Sequence, residues 1–327
     1  MSGRNVACSA SALLLTGCAG VQSVLAPAAD EAGVIHGVWT LLLWVCGLIY
    51  VAVLVALAIG LWRHVRREQT NDRPLMRGLV VWVFVMAAIL TALVTDSFLA
   101  DRRLHADSHP PLQVRITAKQ WWWQIEYLDA DPTRTFATAN ELHLPNDQPT
   151  RIELRSADVI HSLWIPVLHG KEDLIPGRHN ELVLTPRRAG YSRGHCAEFC
   201  GLQHAHMALD VLVEDPSTFA AWRAHQLSSA TPPIEASARV GAEVFAQTAC
   251  AMCHSVRGTD AGGHFGPDLT HLASRRSLAA GTVPMDRAHL AAWIADPQSH
   301  KPGTNMPKIS LTPEQQTAVI DYLAGLL

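Results

Sequence analysis

The sequence predicts a multidomain membrane protein in which a two-helix transmembrane hairpin is followed by an all-β domain and then a small all-α domain. Three observations predict it. Two long apolar stretches lie before residue 100, residues from about 112 to 215 alternate apolar and polar positions, and the stretch after Pro233 carries helical periodicity with cap residues. The 327 residues suffice for two compact domains beside membrane segments. Hydrophobic residues make up 49% and charged residues 17%, a balance shifted toward membrane proteins, with the apolar excess concentrated near the N-terminus. A net charge of -3 argues against nucleic acid as a partner.

Residues 1–18 hold one basic residue, Arg4, then a small apolar run ending in Leu15-Thr16-Gly17-Cys18. This resembles a lipoprotein signal segment in which Cys18 becomes acylated; a plain signal or an unprocessed tail is the alternative. A hairpin over residues 36–100 follows, with spans at about 38–62 and 79–98. The first contains no charge, and at about 1.5 Å per residue it exceeds a hydrocarbon core of about 30 Å. Buried helices of a soluble core are the competing reading. Trp39, Trp44 and Trp62 lie near the ends of the first span, as interfacial anchors do. Arg63, Arg66, Arg67, Arg73 and Arg77 cluster between the spans, which places that loop in the cytoplasm and both the N-terminus and everything after residue 100 outside.

Runs such as Leu112-Gln113-Val114-Arg115-Ile116, Arg151–Arg155 and Glu181–Leu184 alternate at period two between prolines and glycines. They predict an antiparallel β-sandwich or barrel over residues 104–216. Inside it lie Cys196-Ala197-Glu198-Phe199-Cys200 and then His204, His206 and Met207. Two thiols followed by an imidazole and a thioether form a soft donor set, which favours copper and suits electron transfer better than hydrolysis. Zinc is the alternative, although structural zinc sites rarely employ methionine; a redox disulfide between Cys196 and Cys200 is another. A second histidine must come from elsewhere, and His161, in Asp158-Val159-Ile160-His161-Ser162, is the candidate. The remaining histidines, including His105, His109, His143, His169, His179 and His195, are expected at the surface or behind the ligands.

Residues 217–233 are expected to form a short helix and a proline-rich linker of limited reach, Ser228 to Pro233. The last domain, 234–327, holds Cys250-Ala251-Met252-Cys253-His254, the c-type haem attachment pattern. Two thiols add to the haem vinyl groups, and the following histidine supplies the proximal ligand. A thioredoxin-like pair is the alternative, but no βαβ pattern surrounds the motif, and the topology places it outside, where c-type haem is attached. Met306, in a Gly/Pro loop just before the last helix, is the expected sixth ligand. Met285 is its competitor, and Met252 lies inside the attachment motif. A thioether opposite histidine raises the reduction potential. Helices are expected over 235–249 and Asp286–Ala295. A last helix follows Thr312 as N-cap, with Pro313 at N1 and Gln315 at N3.

The run from Trp121 to Met207 resembles the copper domain of cytochrome c oxidase subunit II, a cupredoxin fold. It carries that family's C-x-E-x-C-x3-H-x2-M loop, its D-V-x-H-S segment and its K-x-D-x-x-P-G-R segment (Lys171, Asp173, Pro176, Gly177, Arg178). The resemblance implies that Cys196 and Cys200 bridge two copper ions and that His161 and His204 cap them. It makes Met207 and the backbone carbonyl of Glu198 weak ligands. It further implies that the Glu198 carboxylate helps hold magnesium against the catalytic subunit; a solvated glutamate is the alternative. Trp121, in the run Gln120–Trp123, matches the tryptophan through which the family receives electrons, with simple packing as the alternative. Gly266-Pro267-Asp268-Leu269 resembles the segment that class-I cytochromes c pack on the proximal side of haem.

The implied whole is an all-β cupredoxin-like domain and an all-α class-I cytochrome c domain on a two-span anchor, as in caa-type haem-copper oxidases of the bacterial cytoplasmic membrane, with both domains periplasmic. Electrons would pass from cytochrome c, or from a quinol-cytochrome c reductase, to the haem c and the dinuclear copper, then to subunit I. There O2 is reduced and protons are translocated. Subunit III is a further expected partner. The competing readings are the electron-input subunit of a copper-containing nitric oxide reductase and, from a different class, a membrane-bound copper chaperone. The chaperone predicts one copper and no use for Met207, Glu198 or haem. One departure concerns protons: the glutamate this family often carries near the start of the second span is missing from Arg73–Trp82.

Overall fold

The computed structural model describes residues 20–65, 72–104 and 110–327. The signal segment with Cys18, the loop residues Arg66 and Arg67, and His105 and His109 lie outside the described residues.

Helices α1 (Asp30–Val65) and α2 (Asp72–Leu104) form the hairpin, each longer than its expected span. The backbone ladder continues past the apolar stretch into polar ends. Asp30 and Glu31 lie in the first turn of α1 and Arg102 and Arg103 in the last turn of α2, each sign suited to the helix dipole. Between those ends the apolar side chains find almost no protein partner: Phe84 is 71% exposed. A surface of that kind calls for lipid. Ala28 N–H donates to the Val167 carbonyl at 2.7 Å, and Arg187 grips both carboxylate oxygens of Asp30 at 2.9 and 2.7 Å. The start of α1 and the β-domain therefore share one side of the membrane, in agreement with the arginine pattern.

The β-domain contains β1 (Leu112–Lys119), β2 (Trp122–Leu128), β3 (Phe136–Ala139), β4 (Glu141–Pro145), β5 (Thr150–Ser156), β6 (His161–Trp164), β7 (Glu172–Leu174), β8 (Asn180–Leu184), β9 (Gly190–Cys196) and β10 (Ala208–Glu214). They form two five-stranded sheets, ordered β3-β2-β1-β5-β8 and β4-β10-β9-β6-β7. The pairs β1–β5 and β4–β10 are parallel, and the other pairs are antiparallel. Alternation in β1, β2 and β5 sends Ile116, Trp123, Ile125, Ile152 and Leu154 into a common core with Leu142 and Leu144. Helix α3 (Pro216–Gln226) is part of this domain rather than of the linker: Phe219 enters its core and Trp222 packs against it.

The last domain comprises α4 (Ala236–Gln247), α5 (Ala249–Cys253), α6 (Arg287–Ala295), α7 (Pro297–His300) and α8 (Pro313–Ala324). The Thr312 hydroxyl accepts from the Gln315 N–H while the Gln315 side chain accepts from the Thr312 N–H, the capping box expected for α8. Helices α4 and α8 cross where Gly241 lies against the Ala318 backbone, so close that a Cβ there would sit 1.9 Å from the Ala318 carbonyl oxygen. The linker is pinned: Ala230 N–H donates to the Arg257 carbonyl at 2.9 Å. The helical domain rests on the end of the sandwich that carries the cysteine loop after β9, and Arg193 donates to the Gly281 carbonyl at 2.8 Å across that junction.

Candidate copper and haem sites

Three strand ends build the first site. Pairing of β6 with β9 sets Leu163 opposite Cys196, and pairing of β9 with β10 sets His195 opposite Ala208. His161 at the start of β6, Cys196 at the end of β9 and Met207 just before β10 therefore arrive together. Cys196 N–H donates to the Met207 carbonyl and Ala197 N–H to the Ser162 carbonyl, both at 2.9 Å, closing the loop between them.

Inside that loop the Cys196 and Cys200 sulfurs stand 3.7 Å apart, too far for a disulfide, whose bond is about 2.05 Å. His161 Nδ1 lies 3.8 Å from the Cys196 sulfur, and His204 Nδ1 lies 3.6 Å from the Cys200 sulfur. Met207 Sδ is 3.9 Å from the Cys200 sulfur, and the Glu198 carbonyl oxygen is 3.2 Å from that of Cys196. The two sulfurs thus occupy the middle, with one imidazole at each end. His161, Cys196, Cys200 and Met207 are buried, whereas the Glu198 side chain is exposed. His206 turns aside to the Gln203 side chain, 2.8 Å away.

The hydrogen bond between the two sulfurs is the largest influence holding Cys196 far below the usual thiol range, and the same bond drives Cys200 up. Burial alone would pull His161 down, but its hydrogen bonds with Cys196 and Asp158 outweigh that and raise it. Asp158 Oδ1 lies 2.8 Å from His161 Nε2, which leaves Nδ1 to face the sulfur. The donor set fits copper: it is soft, buried and arranged around a pair of sulfurs rather than a single tetrahedral point.

The second site is a cavity of about 560 Å³ at the junction of the two domains. Cys250, Cys253, His254 and Met306 line it from the helical side, and Lys119 and Trp122 from the sandwich. His254 is half-buried and its Nδ1 lies 2.8 Å from the Pro267 carbonyl, which leaves Nε2 free for the cavity that the ring lines. Gly266 makes the close approach possible, since a Cβ there would stand 2.6 Å from the His254 ring. A further space of about 120 Å³ adjoins, lined by Trp121, His254, Arg275, Lys301 and Met306. Arg275 is buried there, its guanidinium donating to the Asp268 carbonyl at 2.5 Å and its Nε lying 3.8 Å from a Glu141 carboxylate oxygen. Two thiols, an oriented imidazole and a thioether around one apolar cavity fit a covalently held haem. Met306 lines both spaces and Met285 lines neither.

Trp121 joins the sites. It is 8% exposed, and its indole N–H donates to the Cys200 carbonyl at 2.9 Å, an oxygen that also accepts from the Gln120 side chain at 2.7 Å. From the helical domain, Lys301 donates to the Trp121 carbonyl at 2.7 Å, and Gln203 of the sulfur loop donates to the Pro302 carbonyl at 2.7 Å. Burial draws the Lys301 amine down to about 7.

Sequence reasoning passed over Asp158, Gln203, Arg275 and Lys301. Only Asp158 was signalled, by its place in the D-V-x-H-S segment. His143 is a correction. It is not a surface group but 5% exposed, between Glu214 at 3.0 Å and Glu141 at 3.7 Å, with its ring stacked on Trp222 at 3.9 Å. Strand β4 is buried on both faces, so its histidine has no outer side to occupy.

Two family descriptions match the chain: Cytochrome C oxidase subunit II, periplasmic domain, over residues 128–214, and Cytochrome c over residues 238–327. The cytochrome c oxidase subunit 2 of Alkalihalophilus pseudofirmus is 30% identical over 328 residues, spanning 96% of this chain and 94% of that one. The chain belongs to the cytochrome c oxidase subunit 2 family. The cytochrome c oxidase subunits 2 of Bacillus subtilis and Bacillus sp. (strain PS3) are each 30% identical, over 269 and 268 residues, and each match spans 76% of this chain. Those matches cover 74% and 73% of the Bacillus proteins. This subunit 2 is thus part of an oxidoreductase, a membrane-anchored chain with a periplasmic β-domain and a fused cytochrome c domain.

Proposed function

We propose that this subunit 2 is the electron-input arm of a terminal oxidase. In this reading Cys196, Cys200, His161, His204, Met207 and the Glu198 carbonyl hold a dinuclear copper centre, and Cys250, Cys253, His254 and Met306 hold one haem c. When bound, the copper pair offers a one-electron couple spread over two metals and two sulfurs, so each bond changes only slightly. The covalent haem offers a second one-electron couple beside it.

The observation that carries the reading is the juxtaposition of the haem cavity and the sulfur loop across one buried tryptophan. Trp121 fills the gap between them and bonds to the Cys200 backbone. The chain's residues perform three tasks. The β9–β10 loop presents sulfurs already at bridging separation, so little must move when charge changes. Asp158 and Pro267 fix the ring orientations of His161 and His254. Gly303 lies over the Trp121 ring, a Cβ there falling 3.8 Å from it, and so helps cover a ring that is 8% exposed. An external donor, cytochrome c or a quinol-cytochrome c reductase, then reduces the haem first, because the Trp121 surface is already covered.

Subunit I receives the electron from the copper loop, and subunit III completes the complex. In the same reading the Glu198 carboxylate, which is exposed, helps hold magnesium against subunit I, a hard oxygen ligand suited to that ion. The functional units are the anchor (36–100), the copper domain (104–216) with α3 packed on it, the linker from there to 233 and the cytochrome domain (234–327), behind a signal segment (1–18) that marks Cys18 for lipidation. A copper chaperone has no use for the haem cavity or for Met207 beside the thiols. The test is a stopped-flow experiment on the full chain loaded with copper and haem. Reductant added to the haem should produce a second, copper-centred reduction that is lost in Cys200→Ser, whereas a chain that reduces its haem alone overturns the proposal.

A further inference from the structure

Lys301 is a buried amine at the junction of the two domains, lining the smaller of the two spaces there. It is 2% exposed and comes from the loop that ends at Met306. Its amine donates to two backbone carbonyls, that of Trp121 in the sandwich at 2.7 Å and that of Ala279 in the cytochrome domain at 3.0 Å. Among the described residues it has no carboxylate partner within ion-pair distance. A lysine without a counter-charge is costly to bury, so its presence calls for a geometric reason. Protonated or neutral, the amine has at least two N–H groups, enough for both carbonyls. The contact therefore survives titration.

Around it the two domains are joined at consecutive points. Asn305 donates to the Gln120 carbonyl at 3.2 Å, and Gln203 donates to the Pro302 carbonyl at 2.7 Å. The segment from Lys301 to Met306 thus lies against Gln120 and Trp121, and the Trp121 indole reaches on to the Cys200 carbonyl. The bonds differ in how replaceable they are. Asn305 is exposed, and water can substitute for it. Lys301 is sealed, and without it the buried Trp121 carbonyl has lost its donor.

We propose that Lys301 is a positioning residue for electron transfer, a latch that holds the Met306 loop of the cytochrome domain against the backbone of Trp121. This rests on the proposed reading of the two centres, and the experiment separates the two ideas.

Full-length chain in detergent is compared as wild type, Lys301→Met and Lys301→Gln, the last one atom too short to reach both carbonyls. Hydrogen exchange is followed in metal-free protein and haem-to-copper transfer in loaded protein. Lys301→Met should raise exchange of the amides at 120–123 and 303–305 by about tenfold or more, the scale of one lost donor to a buried carbonyl. The core amides of α4 and α8 should keep their protection. Transfer should slow by a similar factor while reduction of the haem by an external reductant is unchanged, and Lys301→Gln should fall between. Wild-type exchange at the junction in either folded variant overturns the latch. So does exchange that rises equally in α4 and α8, the mark of a lysine that merely stabilises its own domain. Wild-type protein that fails to load copper beside haem overturns the reading of the centres instead, and the exchange arm still decides on Lys301.

Discussion

Replacing Asp158 with alanine tests how far the copper loop depends on residues that are not ligands. Asp158 accepts from His161 Nε2 at 2.8 Å, and its other oxygen accepts from the Gln120 N–H at 2.6 Å. A hydrogen bond with one charged partner contributes about 1.5–3 kcal/mol, and loss of an outer partner of a ligating histidine weakens metal binding by about 10–100-fold. The Asp158 side chain is 29% exposed, so water recovers part of the loss and the lower end, about tenfold, is expected. The assay is titration of metal-free chain with copper against a competing chelator. Asp147→Ala, at a carboxylate paired with Arg187 away from the loop, serves as control. Asp158→Asn, which keeps an acceptor but loses the charge, should fall between alanine and wild type. An Asp158→Ala affinity within about twofold of the control refutes the argument that the carboxylate orients His161.

Met306→Ala should keep its haem, held by the thioether bonds to Cys250 and Cys253, but lose the sixth ligand, so its potential falls while Met285→Ala behaves as wild type; absorption spectra and redox titration decide. Gly241→Ala should lower the melting temperature of the cytochrome domain through overpacking of about 1–3 kcal/mol, because the new Cβ meets the Ala318 backbone, and leave the copper domain unaffected. Burial lowers His143, but hydrogen bonds with Glu141 and Glu214 outweigh it and raise it above its unfolded value. Its stabilising contribution is therefore complete below the unfolded value of about 6.5 and is lost as pH rises through the higher folded value. The stability gap between wild type and His143→Gln should accordingly narrow with rising pH, as read by chemical denaturation; a gap that widens contradicts the assignment.

Much of this molecule is legible in the sequence because its signals are local. Period-two alternation marks β1, β5 and β8, and Thr312 with Gln315 marks the start of α8. Five of the six proposed copper donors fall within a single loop, at spacings that the β9–β10 turn converts directly into proximity. His161 is the donor from another strand, and it is found through its own short segment. What the sequence does not reveal depends on contacts between distant elements. Helix α3 reads as a linker helix until Phe219 and Trp222 are seen against the sandwich. His143 reads as polar because nothing local says that β4 is covered on both faces. Lys301 reads as a solvated cation in a Gly/Pro loop, and only docking of the cytochrome domain seals it against Trp121. The helix ends of the hairpin extend beyond the apolar spans because hydropathy marks the lipid, whereas hydrogen bonding continues into water.

The measurement that reaches the account most directly is the metal and haem content of the purified full chain, taken with its electron paramagnetic resonance spectrum. Two copper ions and one covalent haem per chain are expected, with the unpaired electron shared by two equivalent copper nuclei. Cys196→Ser should abolish the copper signal while the haem stays in place. A single copper or zinc ion per chain, or a copper signal confined to one nucleus, would contradict it.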